Sequence, residues 1–128
     1  MRKLEVRIFA IEGFERFRRK ERIKSQALTE AIDRAVKGLI DADLGGGLIK
    51  QRIARPGQGK RGGYRTIIAY RADQRAVFLF GFAKNERDNI SPDHLVRWRL
   101  IGADLLQASE NAIARAVADD ELTEVQDD

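Results

Sequence analysis

Leu48-Ile49-Lys50-Gln51-Arg52-Ile53-Ala54-Arg55 alternates with a period of two. As an extended strand it places Ile49, Gln51, Ile53 and Arg55 on one face and Leu48, Lys50, Arg52 and Ala54 on the other. If Ile49 and Ile53 face the core, Lys50 and Arg52 project together from the opposite side. The strand runs into a glycine-rich turn, Pro56-Gly57-Gln58-Gly59-Lys60-Arg61-Gly62-Gly63-Tyr64-Arg65. Between Lys50 and Arg65 stand six cations and no acid. Cations on a strand and in the loop that follows suit the gripping of a polyanion, RNA above all.

Outward from this stretch the periodicity changes. Tyr64–Arg71 and Arg75–Ala83 are rich in β-branched and aromatic residues, and Ala72-Asp73-Gln74 is short enough to join them as a hairpin. Upstream, Leu44-Gly45-Gly46-Gly47 reads as a turn. Before it, Ser25 is a candidate N-cap for a helix to about Leu39, with Leu28, Ala31, Ile32, Ala35, Val36 and Leu39 at helical spacing. Gly38 falls in its frayed end. Ile11–Arg22 reads as a basic helix with Ile11, Phe14 and Phe17 as its apolar stripe, and Val6–Ala10 as a short opening strand. Downstream, Ser91-Pro92 is a helix start, Ser as N-cap and Pro in the first helical position. That helix should run to about Ala108 and present Leu95, Trp98, Ile101, Gly102 and Leu105 to the sheet.

The expected fold is therefore α+β: two N-terminal helices, an antiparallel sheet of three to four strands and a C-terminal helix. One domain should span residues 1–108, with 109–128 a short helical, acidic and mobile tail.

The chain has 128 residues, enough for one domain with a real core. No run approaches the ~18 apolar residues of a membrane helix. The opening residues Met1–Arg7 interleave charges without an apolar core, so no secretory signal is expected. There is no cysteine, which excludes a disulfide scaffold and thiolate metal sites. The one histidine, His94, leaves no His-rich metal cluster. A cytoplasmic protein without metal or cofactor is expected, and no membrane partner. The net charge of +4 conceals an asymmetry: the last ten residues carry six acids and no Lys or Arg, so the body is far more basic than the total suggests.

Two look-alike motifs fail. Gly57-Gln58-Gly59-Lys60-Arg61-Gly62 matches the dinucleotide pattern G-x-G-x-x-G, but that pattern needs a helix to follow, and a strand follows here. Gly59-Lys60 is no P-loop, because Arg61 stands where Ser or Thr is required. What is left is a basic hairpin loop whose backbone can approach phosphates.

Two helices, a basic strand, then G-G-Y-R-T-I-I-A-Y and V-F-L-F-G-F-A-K-N-E-R resemble the RelE/ParE/HigB superfamily of toxins from type II toxin–antitoxin pairs. The segments around Gly57–Arg65 and Gly81–Ile90 are most similar to the HigB-like branch, and the likeness spans about residues 4–106. The resemblance implies a RelE-like microbial RNase fold and a metal-independent endoribonuclease, an mRNA interferase cutting message in the ribosomal A site. It also implies a cognate antitoxin, a small helix-turn-helix protein from a neighbouring gene.

Cleavage without metal uses the adjacent 2′-OH as nucleophile and yields a 2′,3′-cyclic phosphate and a 5′-OH. The protein must help remove one proton, stabilise the phosphorane-like charge and protonate the leaving oxygen. With one histidine the usual two-histidine solution is closed, and Lys and Arg must serve. The resemblance puts Lys50 and Arg52 at the family's catalytic strand, with a lysine as base. It makes Arg65 the ligand of the scissile phosphate, and sets Lys84 and Arg87 in the K-x-E-R turn. Arg55, Lys60, Arg61, Tyr64 and Asn85 join as RNA-binding candidates, Tyr64 as the side chain that stacks a base. An arginine, with a pKa above ~12, makes a poor base, and a lysine near ~10.4 needs cationic neighbours to lower it. For Lys50, Arg52 and Arg65 are in position to do so. Asn85 stands where RelE itself has the arginine proposed as general acid, and Ser91 at about its base-stacking tyrosine.

The plainer readings are structural. Trp98 anchors the last helix, His94 sits on the surface, Tyr70, Phe78, Phe80 and Phe82 are mostly core, and Glu86 pairs with a cation to fix its turn. Two other functions fit the same scaffold: a ParE-like gyrase poison and a non-catalytic nucleic-acid binder. The acidic tail is either a solvated end or a cover folded over the basic groove.

Overall fold

The computed structural model describes residues 6–55, 59–72, 74–84 and 90–126, with backbone alone at 59–62. Its six strands are β1 (Arg7–Ile11), β2 (Ala42–Gly45), β3 (Leu48–Arg55), β4 (Gly59–Arg71), β5 (Arg75–Ala83) and β6 (Leu122–Val125). The helices are α1 (Glu12–Glu21), α2 (Ser25–Val36), α3 (Pro92–Gln107) and α4 (Glu110–Ala118). One mixed sheet runs β2-β3-β4-β5-β1-β6, with β1 parallel to β5 and every other pair antiparallel. The class is α+β as expected, but with six strands in place of three or four and helices on both faces.

Two cores result. Phe14, Leu28, Ala31, Ile32, Ile49, Ile53, Tyr64, Ile68 and Phe78 fill the space under α1 and α2. Phe9, Leu48, Ile67, Ala69, Val77, Leu79, Leu106 and Ile113 fill the other, under α3 and α4. The β3 alternation is thereby met: Ile49 and Ile53 enter the first core, and Lys50 and Arg52 share the α3 face with Leu48.

Several local signals act as their chemistry demands. Ser91 Oγ accepts the His94 backbone N–H at 3.3 Å, with Pro92 in the first turn. Left-handed Arg22 (φ 58°) ends α1. Helix α2 ends at Val36, short of Leu39, and left-handed Gly38 (φ 83°) follows. Its N-cap is Lys24, because the Ser25 hydroxyl is engaged by Arg18 Nη2.

Two elements differ from expectation. The segment ending in Leu44–Gly47 is more than a turn: β2 pairs with β3 (Ala42↔Lys50), and Gly46 and Gly47, both at positive φ, connect them. Arg99 on α3 ties this hairpin down through the Leu44 carbonyl, with Nη2 at 2.6 Å.

The second is the C-terminal segment beyond residue 108, expected as a short helical, acidic tail, which also carries a strand. Ser109 caps α4, and β6 pairs with β1, burying Leu122 and Val125. Acids of this segment hold basic residues of the body. Arg7 bonds Glu124 at 2.9 and 3.0 Å and Glu110 at 3.1 Å, and buried Arg75 reaches Glu110 at 2.9 Å and the Leu105 and Ala108 carbonyls. The strand lies at the opposite edge of the sheet from β2 and β3, so Leu122–Val125 do not cover the basic groove. Deleting residues 119–128 is expected to cost about 3 kcal/mol or more in urea unfolding, given ~1.5–3 kcal/mol for each buried apolar side chain. An unchanged midpoint would deny β6 any role in stability.

Candidate RNA-contacting site

The register brings the basic residues together. Arg52 stands opposite Arg65, Lys50 opposite Ile67, and Arg65 opposite Phe82. In a strand, residues two apart on one face are separated by about 6.6 Å. Lys50, Arg52 and Arg65 therefore form one cationic cluster on the α3 face. The Arg52 backbone N–H points to the outer edge of β3, where Asp41 Oδ2 accepts it at 2.7 Å. Arg52 and Arg65 are thus a non-hydrogen-bonded pair, the type in which side chains lie closest.

Such closeness is electrostatically costly. Arg65 is 8% exposed. Burial first, and then the Arg52 charge, push its guanidinium pKa down, while Asp41 pulls it up. A guanidinium shifted this way still carries its charge at neutral pH. Arg52 is exposed and Lys50 half-buried, so the cluster grades from solvent to interior.

Beside it, β5 carries an irregularity. Ile67 is opposite Phe80 and Ile68 opposite Phe78, which leaves Leu79 as an extra residue. The slip turns Phe80 and Phe82 onto the α3 face, away from that of Phe78, so the three aromatics do not share one side. Phe80 stacks on Trp98 with ring centroids 5.8 Å apart, meets His94 edge-on at 6.4 Å, and lies 5.9 Å from Phe82. Trp98 is the helix anchor expected of it. His94 is half-buried over Phe80, not a plain surface residue.

Not every candidate joins the cluster. Tyr64 is 2% exposed and faces α1 and α2, its hydroxyl donating to Glu21 Oε1 at 2.9 Å and its ring edge-on to Phe17. A tyrosine so placed is not available to stack a base, which corrects that assignment. Neighbours in a strand point to opposite faces, so Tyr64 cannot accompany Arg65. Arg55 follows Tyr64 to that side, its guanidinium 5.6 Å from the ring centre. Lys84 follows β5, its N–H donating to the Gly63 carbonyl at 3.1 Å. Asn85 and Arg87 lie outside the described residues, as do the side chains of Lys60 and Arg61.

Three residues that sequence reasoning passed over support the site: Arg34, Asp41 and Gln51. Gln51 is fully buried and links α2 to the sheet edge, Nε2 donating to the Ala31 and Leu39 carbonyls at 2.9 and 3.2 Å. The alternation Ile40-Asp41-Ala42-Asp43-Leu44 was the available signal for the edge strand beside them.

The cationic cluster of Lys50, Arg52 and Arg65 thus lies on the α3 face of a mixed α+β sheet. The chain belongs to the RelE toxin family: the family model, described as RelE toxin of RelE / RelB toxin-antitoxin system, matches residues 6–125. It is thus the toxin half of a toxin–antitoxin pair, and the match takes in α4 and β6 as well as the sheet's basic strands. No curated protein matches the chain significantly in sequence. Among the described residues no helix is long and apolar enough to cross a membrane.

Proposed function

We propose that this toxin is a ribosome-dependent mRNA endoribonuclease of the HigB-like branch, acting in the cytoplasm on message held in the ribosomal A site. The observation that carries the reading is the convergence of Lys50, Arg52 and Arg65 on one face, with Arg52 and Arg65 in register. Two guanidiniums side by side match the paired oxygens of a phosphodiester and stabilise the extra charge of the phosphorane. Lys50, on the same face, takes the 2′-OH proton, and Lys84 and Arg87 neutralise the product side. The departing 5′ oxygen receives its proton from this cationic group or from ribosomal surroundings. The antitoxin neutralises the toxin by covering the basic face with an acidic or apolar segment.

Expression of the chain alone is expected to arrest growth, with primer extension showing new 5′ ends inside translated codons. Messages that stay whole in arrested cells would reject the ribonuclease reading. A DNA-damage response with whole messages would point to gyrase instead.

A further inference from the structure

We propose that Asp41 is a positioning residue of the cationic site, holding Arg52 from the strand edge and supplying the counter-charge that lets Arg52 and Arg65 face one phosphate together. The inference rests on the phosphate-binding reading of that pair and adds a residue that touches no substrate.

Asp41 sits just before β2, where that strand meets β3. Its carboxylate accepts the Arg52 N–H at 2.7 Å and pairs with Arg34 Nη1 at 3.6 Å. Arg34 Nη2 in turn donates to the Arg52 carbonyl. Both outward backbone groups of Arg52 are therefore taken by side chains, from Asp41 on one side and Arg34 on the other. The clamp has a rigid base: the Asp41 N–H donates at 2.8 Å to Gln51 Oε1, and Gln51 is fixed by two carbonyls of the α2 region.

Position and charge act together here. Opposed like charges on neighbouring strands repel and would turn their side chains apart. A carboxylate at the edge offsets that repulsion without occupying the α3 face where phosphate would bind. Its influence reaches Arg65 as well, since Asp41 opposes the lowering of that guanidinium's pKa by burial and by Arg52. Edge protection alone accounts for the backbone contacts, because charged side chains on an open strand deter further pairing. It does not require the carboxylate's charge to matter to the arginines.

Asp41→Asn separates these roles, because the amide oxygen still accepts the Arg52 N–H while the charge is gone. The first measurement needs no cleavage: inorganic phosphate is titrated into the full chain while the Nε–Hε resonances of Arg52 and Arg65 are followed by NMR. In the wild type both are expected to move with one dissociation constant. In Asp41→Asn they should separate, Arg65 responding at least fivefold more weakly. Joint movement in the variant overturns the proposal. If neither resonance moves in the wild type, the phosphate-binding reading fails and the proposal with it.

The second measurement is single-turnover cleavage on programmed ribosomes. Asp41→Asn should slow the step 10- to 100-fold, with half-saturation changed less than threefold and the same melting temperature. Loss in half-saturation alone, or no loss, overturns the positioning role. Wild-type protein inactive in this assay counts against the ribonuclease reading only, and the NMR result then decides for Asp41. Should Asp41→Asn fail to fold, Asp41→Glu is measured: it keeps the charge and should retain at least a third of the rate. A Glu variant slowed beyond 100-fold overturns the proposal.

Discussion

Lys50→Ala combined with Arg65→Ala will give a folded protein that neither arrests growth nor cuts message, with activity down at least ~1,000-fold. Loss of a single donor to a developing oxyanion costs about 100- to 1,000-fold, and residues acting as a unit do not lose more in simple proportion. Arg65 supplies one of the two facing guanidiniums, and Lys50 an amine on the same side of the sheet. Stability should survive for a physical reason. The folded state lowers the Arg65 pKa, chiefly by burial and then by Arg52. With its pKa lowered, the charged form is held at a cost below the folded-state pKa, and the cost fades only as pH rises through it. At neutral pH the alanine removes that cost. Circular dichroism melts check folding, and plating under induction checks toxicity; full toxicity would take both residues out of the site.

Gly63→Ala will disrupt the fold where the site is built, by about 3 kcal/mol or more, in the range of overpacking against groups that cannot yield. A Cβ at Gly63 would overlap the Ile53 carbonyl oxygen and lie 3.0 Å from the Arg55 nitrogen. These are backbone atoms of the paired strand, so β3 and β4 would be forced apart right beside Arg52 and Arg65. The Gly63 carbonyl also holds the Lys84 N–H, so the end of β5 would move too. Gly13→Ala is the control: its Cβ meets nothing nearer than 3.8 Å, and a helical alanine should add about 0.5–1 kcal/mol. Urea unfolding of both variants tests the pair. A Gly63→Ala protein as stable as wild type would contradict the close strand approach.

Legibility varied with how local the cause was. Strand β5 falls on Arg75–Ala83 and α3 begins at Pro92, because β-branched runs and a Ser-Pro cap act within a few residues. Tyr64 was misplaced because it was read with the basic loop as well as with the strand, when β4 runs from Gly59 through both Tyr64 and Arg65. With the strand in place, Tyr64 and Arg65 must face opposite ways. The β5 aromatics are mostly core, as read, but their faces were hidden: one extra residue at Leu79 sets Phe80 and Phe82 on the side away from Phe78, and nothing in V-F-L-F-G-F marks where the slip occurs.

Strand β6 was hidden for another reason. Leu122-Thr123-Glu124-Val125 is short and carries an acid, and its partner β1 lies more than a hundred residues away in sequence. It is held by pairing with Ile8 and Ile11 and by the Arg7–Glu124 ion pair, which no local propensity records.

By itself the sequence determined the face shared by Lys50 and Arg52, the basic body and the toxin family, since strand parity, charge and residue type are properties of the chain. Only the tertiary structure decided that Arg65 joins that pair, that Tyr64 packs under α1 with Arg55 against its ring, and that Asp41 stands at the edge. Those relations arise from cross-strand register and from a hairpin closing on β3. A shift of one residue in either would have exchanged the faces and dispersed the site.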